Sequence, residues 1–301
     1  MKLKVIGIGE VLWDLLPAGR QLGGAPANFS VHAKRLGAQA QLISRLGRDD
    51  LGHAILERLI EMGVDVAAIQ SDDQAPTGTA SVELNQGGVP HFVIQENVAW
   101  DHLSMTEKAR TVVQAADAIC FGTLAQRHES SRVAIQSLIA VARPDALKVF
   151  DVNLRQNFFS RELIKTSLKL ANILKLNDEE LPVLAKFFGL TGEPEEQIAE
   201  LAQQFDLKLV ALTCGARGSL FYSRGDYSRV PGLPAKVVDT VGAGDAFTAT
   251  LTLGVLAGWD LDRINRSASE VAAYVVSQPG ATPCLPEQLR FFEAFSLNAV
   301  A

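Results

Sequence analysis

Six short runs rich in β-branched and apolar residues recur along this chain, at Val5–Gly9, Leu42–Leu46, Ala118–Gly122, Lys148–Asn153, Ile173–Asn177 and Leu209–Thr213. Between them lie stretches with apolar residues at helical spacing, among them Gly52–Met62, Ser130–Ala142, Leu163–Leu170 and Pro194–Phe205. No other feature limits the fold as strongly as this alternation. Strands separated by helices pair in parallel, because the helix carries the chain back along the sheet. The pattern predicts an α/β fold with a mostly parallel central sheet and helices on both faces. At 301 residues the chain can bury an ample core. No repeat, low-complexity tract or Pro/Ser linker divides it, so a single domain over residues 1–301 is expected.

One segment breaks the rule. Thr79–Asn85 and Pro90–Gln95 alternate apolar with polar around Gly87-Gly88, which is a half-buried hairpin with no helix following. Glu10–Leu16 alternates less cleanly and can pair with it. Residues of about 10–18 and 76–99 are thus expected to form a small β-sheet lid on the α/β core.

Open α/β sheets bind ligands where strands end, and two strings stand at such places. Asp239-Thr-Val-Gly-Ala-Gly-Asp-Ala-Phe247 lies between the strand-like Lys236-Val237-Val238 and a small-residue helix pattern from Ala243 to Leu256. Gly242 and Gly244 permit a tight turn whose amides (Gly242, Ala243, Gly244) open a helix. Those amides lack internal partners and sit at the positive end of the helix dipole, so they form an anion hole. Asp245 stands beside it. Taken alone, that residue reads either as a helix cap or as a base for an alcohol attacking a phosphate. Gly23-Gly24-Ala25-Pro26-Ala27-Asn28 opens another helix, with Pro26 as its first residue and Gly37 as its stop. Asn28 can donate to and accept from hydroxyls, and the string reads equally as a structural helix entry.

Both strings resemble the two signatures of the PfkB, or ribokinase-like, carbohydrate kinases, and fructokinases most of all. The resemblance covers about residues 3–290 and implies a ribokinase-like fold. By that resemblance Gly23, Gly24, Asn28 and the lid residue Asp14 bind sugar hydroxyls. Asp151-Val-Asn-Leu-Arg155 ends a strand and resembles a fructokinase motif that sets Arg155 near substrate or the transferring phosphate. Asn177-Asp-Glu-Glu180 matches a motif that helps place Mg²⁺ and phosphates. From the residues alone it is a plain helix N-cap with an acidic first turn. Thr213-Cys-Gly215-Ala-Arg-Gly218 resembles the family's nucleotide loop. The resemblance further implies K⁺ behind the anion hole, held by the backbone at Asp239 and Val241 and by the Gly280–Cys284 turn, although Cys284 stands where a hydroxyl residue is common. It also implies dimerisation through the lid.

The sequence excludes several other classes. There is no Walker-type P-loop or protein-kinase motif set, and Gly7-Ile-Gly9 lacks the third glycine of a dinucleotide fold. Formal net charge is −6 with no basic cluster, so neither nucleic acid nor anionic membrane is an expected partner. No run approaches the ~18–20 apolar residues of a membrane span, and the charged N-terminal run reads as a core strand rather than a signal peptide. Three widely spaced cysteines, Cys120, Cys214 and Cys284, fit reduced thiols in a cytoplasmic protein. The expected reaction is transfer of a phosphoryl group from Mg²⁺-bound ATP to a primary hydroxyl of a small neutral sugar, with Asp245 as base and fructose as the favoured acceptor. Kinases of 2-keto-3-deoxygluconate, ribose or nucleosides share both signatures, and a non-catalytic sugar-binding regulator is the reading from another class. Trp13 and Trp100 depart from fructokinases, and each reads as lid core or as a sugar-stacking surface.

Overall fold

The computed structural model describes residues 2–17, 19–84 and 90–292. The described strands are β1 (Lys4–Ile8), β2 (Leu12–Leu16), β3 (Gly19–Gly23), β4 (Gln39–Ile43), β5 (Arg45–Gly47), β6 (Gln70–Asp72), β7 (Thr79–Leu84), β8 (Pro90–Ile94), β9 (Ala118–Phe121), β10 (Leu147–Asp151), β11 (Ile173–Asn177), β12 (Leu209–Thr213), β13 (Gly218–Ser223) and β14 (Asp226–Pro231). The described helices are α1 (Ala25–Arg35), α2 (Asp50–Glu61), α3 (Glu107–Gln114), α4 (Glu129–Ala140), α5 (Arg161–Leu170), α6 (Leu181–Phe188), α7 (Pro194–Phe205), α8 (Ala243–Leu256) and α9 (Leu261–Val276).

Eight strands form the central sheet in the order β14-β13-β12-β11-β10-β9-β1-β4. From β12 through β4 every pairing is parallel, and only β13 and β14 run antiparallel at one edge. Strands buried on both faces alternate between two cores. Ile6, Ile8, Phe150, Leu174, Leu176, Val210 and Leu212 face one core, which is closed by α3 to α7. Val5, Leu147, Val149, Ile173, Leu209 and Ala211 face the other, closed by α1, α8 and α9. The expected parallel sheet with helices on both faces is therefore present.

The chain leaves β1 for β4 on one side and later returns to β9 on the other. That reversal opens a crevice at the carboxyl ends of the strands, the usual ligand position in such sheets. Above it stands a second sheet, β3-β2-β7-β8. It contains the expected hairpin β7–β8 and the expected partner β2, whereas Gly87-Gly88 lies outside the described residues. Strand β3 was not expected. Its sequence, Gly-Arg-Gln-Leu-Gly, carries no alternating apolar run, and its strand form comes from pairing with β2.

Two further expectations are corrected. Leu42–Leu46 is not one strand: Ser44 separates β4 in the main sheet from β5, which pairs with β6. Lys236–Val238 is no strand either. Its backbone docks instead on the end of α9, where Val276 O accepts from Val238 N at 2.8 Å and from Asp239 N at 3.2 Å. Val237 and Val238 are exposed there.

Candidate active site

A cleft of about 840 Å³ lies between the two sheets. Of the residues singled out from the sequence, Asp14, Gly24, Asn28, Arg155, Asn177, Thr213, Gly215, Gly218, Val241, Gly242, Ala243, Gly244 and Asp245 line it. Gly23, Glu180, Asp239, Gly280 and Cys284 do not.

The floor of the cleft is the N-terminus of α8. Gly242 caps that helix with φ at 80°, in the left-handed region that glycine enters without strain. A Cβ there would also stand 2.0 Å from Ala281 O. Helix α8 is buried along Ala246–Gly254. Its threonines are accommodated because Thr248, Thr250 and Thr252 each donate to the carbonyl four residues back. The helix therefore enters the core while its first amides face the cleft.

Asp245 sits in that first turn and accepts from Asn28 Nδ2 at 2.8 Å, across 217 positions of sequence. Burial pushes its carboxyl up to about 6 and nearby Asp151 adds to the rise. The Asn28 hydrogen bond, Lys175 and Arg155 pull the other way.

Beside this pair the cleft is rich in acceptors. Asp14 is raised to about 6 by burial, with Asp239 adding and Arg155 opposing. A Cβ on Gly23 would meet Asp14 Oδ2 at 2.3 Å, so this glycine makes room for the carboxylate. Glu10, just past β1, is raised to about 7, chiefly by burial, against hydrogen bonds from the backbone of Glu10 and Ala25. Glu10 Oε2 and Asn28 Oδ1 are buried without a hydrogen-bond partner among the described residues. Unpaired buried acceptors are costly, and a ligand that brings several O–H donors would satisfy them.

Glu10, Asp151, Lys175 and Thr248 were not singled out as site residues. Asp151 and Lys175 face each other in register on β10 and β11, both on the side covered by α8. Lys175 Nζ lies 3.1 Å from Asp151 Oδ1, and Thr248 Oγ1 donates to Asp151 Oδ2 at 2.8 Å. The available signal was a lysine in the middle of Ile-Leu-Lys-Leu-Asn, a buried charge that must be paired.

The other end of the cleft is suited to a flat apolar group and an anion. Gly215, Gly218, Leu233, Val237, Ala272 and Val276 line it. Asn177 there caps its own turn, since Oδ1 accepts from Glu179 N and Glu180 N, both at 2.9 Å. Glu180 is buried beneath, accepting from Leu154 N at 2.9 Å and Asn177 N at 2.8 Å. Burial raises its pKa, against Lys175. Arg155 belongs to a loop held by left-handed Asn153 and Gln156, with φ of 43° and 47°, a strain typical of functional loops.

Behind α8, Asp239 accepts from Val241 N at 3.0 Å and Gly280 N at 3.1 Å. The carbonyls that follow are also engaged. Ala281 O contacts His32 Nε2 at 3.0 Å, Arg35 Nη1 donates to Thr282 O and Pro283 O, and Tyr274 Oη donates to Cys284 O at 3.0 Å. Neither tryptophan lines the cleft. Trp13 donates through Nε1 to Leu51 O at 3.0 Å, and Trp100 is fully buried under Arg127. Both belong to the core.

Comparison with known proteins agrees with this geometry. The structure of an uncharacterized sugar kinase from Pyrococcus horikoshii superimposes with a TM-score of 0.83 at 30% identity, covering 97% of this chain and 98% of that one. The same kinase in complex with ATP matches with a TM-score of 0.78 at 30% identity, over 93% and 94% of the two chains. A fructokinase of Escherichia coli is 30% identical over 303 residues, or 95% of this chain and 97% of its own. The family model for pfkB family carbohydrate kinases matches residues 18–288. With the carboxylate and amides of the α8 floor facing an acceptor-rich pocket, the chain belongs to the PfkB family of carbohydrate kinases.

Proposed function

We propose that this protein transfers the γ-phosphoryl group of ATP to a primary hydroxyl of a small neutral sugar, with fructose as the preferred acceptor. The observation that carries the reading is Asp245, held by Asn28 in the first turn of α8 beside the free amides of Gly242, Ala243 and Gly244. Asp14, Glu10 and Asn28 offer acceptors to sugar hydroxyls at one end, and the Thr213–Gly218 loop and the apolar wall take the nucleotide at the other.

The sugar hydroxyl attacks the γ-phosphorus, the bond to the β-bridging oxygen breaks, and the hydroxyl proton passes to Asp245. The amides of α8 accept the charge that builds on the transferring oxygens, and Arg155 stands at the same wall. No group of three or more carboxylate, His or Cys ligands that could hold a metal occurs among the described residues, and the oxygens of Glu180 are taken by amides. This donor set fits a Mg²⁺ that arrives on ATP, toward which Asn177 and Glu180 would act only from an outer shell. When bound, Mg²⁺ neutralises phosphate charge. A K⁺ ion behind α8 fits less well. The carbonyls of residues 281–284 and both oxygens of Asp239 already accept protein donors, and the Arg35 guanidinium occupies two of those carbonyls.

A neutral acceptor is favoured because the groups facing the sugar end are mostly carboxyls. Arg20 on β3 lies over the Trp13 ring at 4.7 Å and does not line the cleft. Fructose is favoured by the Escherichia coli relative and by the Gly23–Asn28 and Asp151–Arg155 strings. An ATP-dependent screen of fructose, ribose, 2-keto-3-deoxygluconate, tagatose and adenosine tests this. Fructose should give the highest kcat/KM. A preference of more than about tenfold for another acceptor, or ~1.4 kcal/mol in the transition state, would overturn fructose while sparing the kinase.

A further inference from the structure

Lys175 is a charge in a place built for apolar groups. Its neighbours on β11 are Leu174 and Leu176, which face the core of α3 to α7. The period of the strand turns Lys175 the other way, toward α8. The residue is 6% exposed, yet it lines the cleft. A Cβ built on Gly244, in the middle of the anion hole, would stand 3.2 Å from Nζ. The ammonium therefore lies directly under the amides that face the transferring group.

Its partner cannot swing away with it. Asp151 is held on its other oxygen by Thr248 of α8 at 2.8 Å. An ammonium has three donors, and Asp151 Oδ1 is the one hydrogen-bond partner Nζ has among the described residues. Two of its N–H donors therefore have no partner among the described residues, and the residue lines the cleft. Burial alone would lower the Lys175 pKa, but Asp151 and Glu180 outweigh it and the net direction is upward, so the group stays charged.

We propose that Lys175 is a catalytic residue, its ammonium donating from beneath Gly244 to the transferring phosphoryl group and holding Asp245 ionised before transfer. During the step the hydroxyl oxygen bonds to γ-phosphorus, ADP leaves with the electrons of the broken P–O bond, and the alcohol proton goes to Asp245. Lys175 keeps its own proton throughout. The groups facing Asp245 are Glu10 after β1, Asn28 on α1, Asp151 on β10, Arg155 beyond it and Lys175 on β11. Removing Lys175 leaves Arg155 as the one cation among them.

This inference rests on the phosphotransfer reading of the cleft, and the two can fail separately. The test compares wild type, Lys175→Met and the double variant Lys175→Met/Asp151→Asn, which removes both charges of the buried pair. Lys175→Met should lower kcat roughly 10²–10³-fold, with sugar KM changed less than about threefold. The acid limb of its kcat/KM profile should move to higher pH, because Asp245 loses a favourable charge. The double variant should regain the wild-type Tm without regaining kcat. Recovery of kcat to within about fivefold of wild type in the double variant would overturn the proposal, leaving Lys175 as the counter-ion of Asp151. An unshifted acid limb in Lys175→Met would overturn it too. A wild-type protein that phosphorylates no sugar would instead remove the reading beneath it.

Discussion

Asn28 serves two neighbours with one amide. Its Nδ2 donates to Asp245, while its Oδ1 is a buried acceptor without a hydrogen-bond partner among the described residues. Asp14 lines the same cleft, and no hydrogen bond joins it to Asp245. Three single variants should therefore separate. Asp245→Asn should lower kcat roughly 10²–10⁴-fold with both affinities nearly intact, since only the base is removed. Asp14→Ala should raise sugar KM strongly and leave kcat and ATP affinity little changed. Asn28→Ala should do both, and its kcat/KM acid limb should lie above that of wild type, because the lost hydrogen bond was holding the Asp245 pKa down. Steady-state kinetics from pH 5 to 8 with titration calorimetry would decide it. An Asp245→Asn enzyme at near wild-type rate would reduce Asp245 to a helix cap.

At the scale of elements, the N-terminus of α8 depends on how three segments meet. Helix α1 supplies Asn28 to Asp245, and His32 and Arg35 to the 281–283 carbonyls. That turn abuts Gly242 at the start of α8, and Asp239 ties the two through Val241 N and Gly280 N. Gly242→Ala should thus lower both Tm and kcat, since a Cβ collides with Ala281 O and φ of 80° disfavours it. Because protein donors already hold the turn, exchanging K⁺ for tetramethylammonium should change kcat by less than about twofold. A fivefold or larger stimulation by K⁺ would mean that the turn binds a cation despite Arg35.

Across the whole molecule, the cleft gathers Glu10, Asp14 and Asp245 with pKa values near 7, 6 and 6, against ordinary values of 4.5, 3.8 and 3.8. A carboxyl raised in the folded state binds protons more tightly there than in the unfolded chain, so stability falls as pH rises from about 4 to 7. Asp14, the most open of the three, contributes least. Asp245→Asn and Glu10→Gln should melt above wild type at pH 8 and converge with it near pH 4. Equal differences at both pH values in a thermal scan would contradict this origin. The second sheet lies over the cleft, and we propose it as a lid whose closing would exclude water. Leu15 on β2 is 41% exposed, an apolar outer position suited to a second copy, so a homodimer through this sheet is expected. A monomeric mass by light scattering at micromolar protein would count against it.

The alternation of strands and helices and the two glycine-rich helix entries were legible in the sequence. Each follows from local periodicity or backbone freedom. Ile173–Asn177, Leu209–Thr213, Pro194–Phe205 and Ala243–Leu256 stand as read. The tertiary structure alone decided what depends on partners far apart in the chain. It turned Gly19–Gly23 into a strand by pairing it with β2, and pulled Lys236–Val238 off the sheet onto the end of α9. It sent Trp13 and Trp100 into the core. It joined Asn28 to Asp245, and set Lys175 and Asp151 side by side beneath Gly244. A lysine in an apolar strand announces that its charge is paired, because burying it alone is too costly. Which carboxylate pairs with it, and which helix N-terminus lies above, is set only when β10, β11 and α8 pack together.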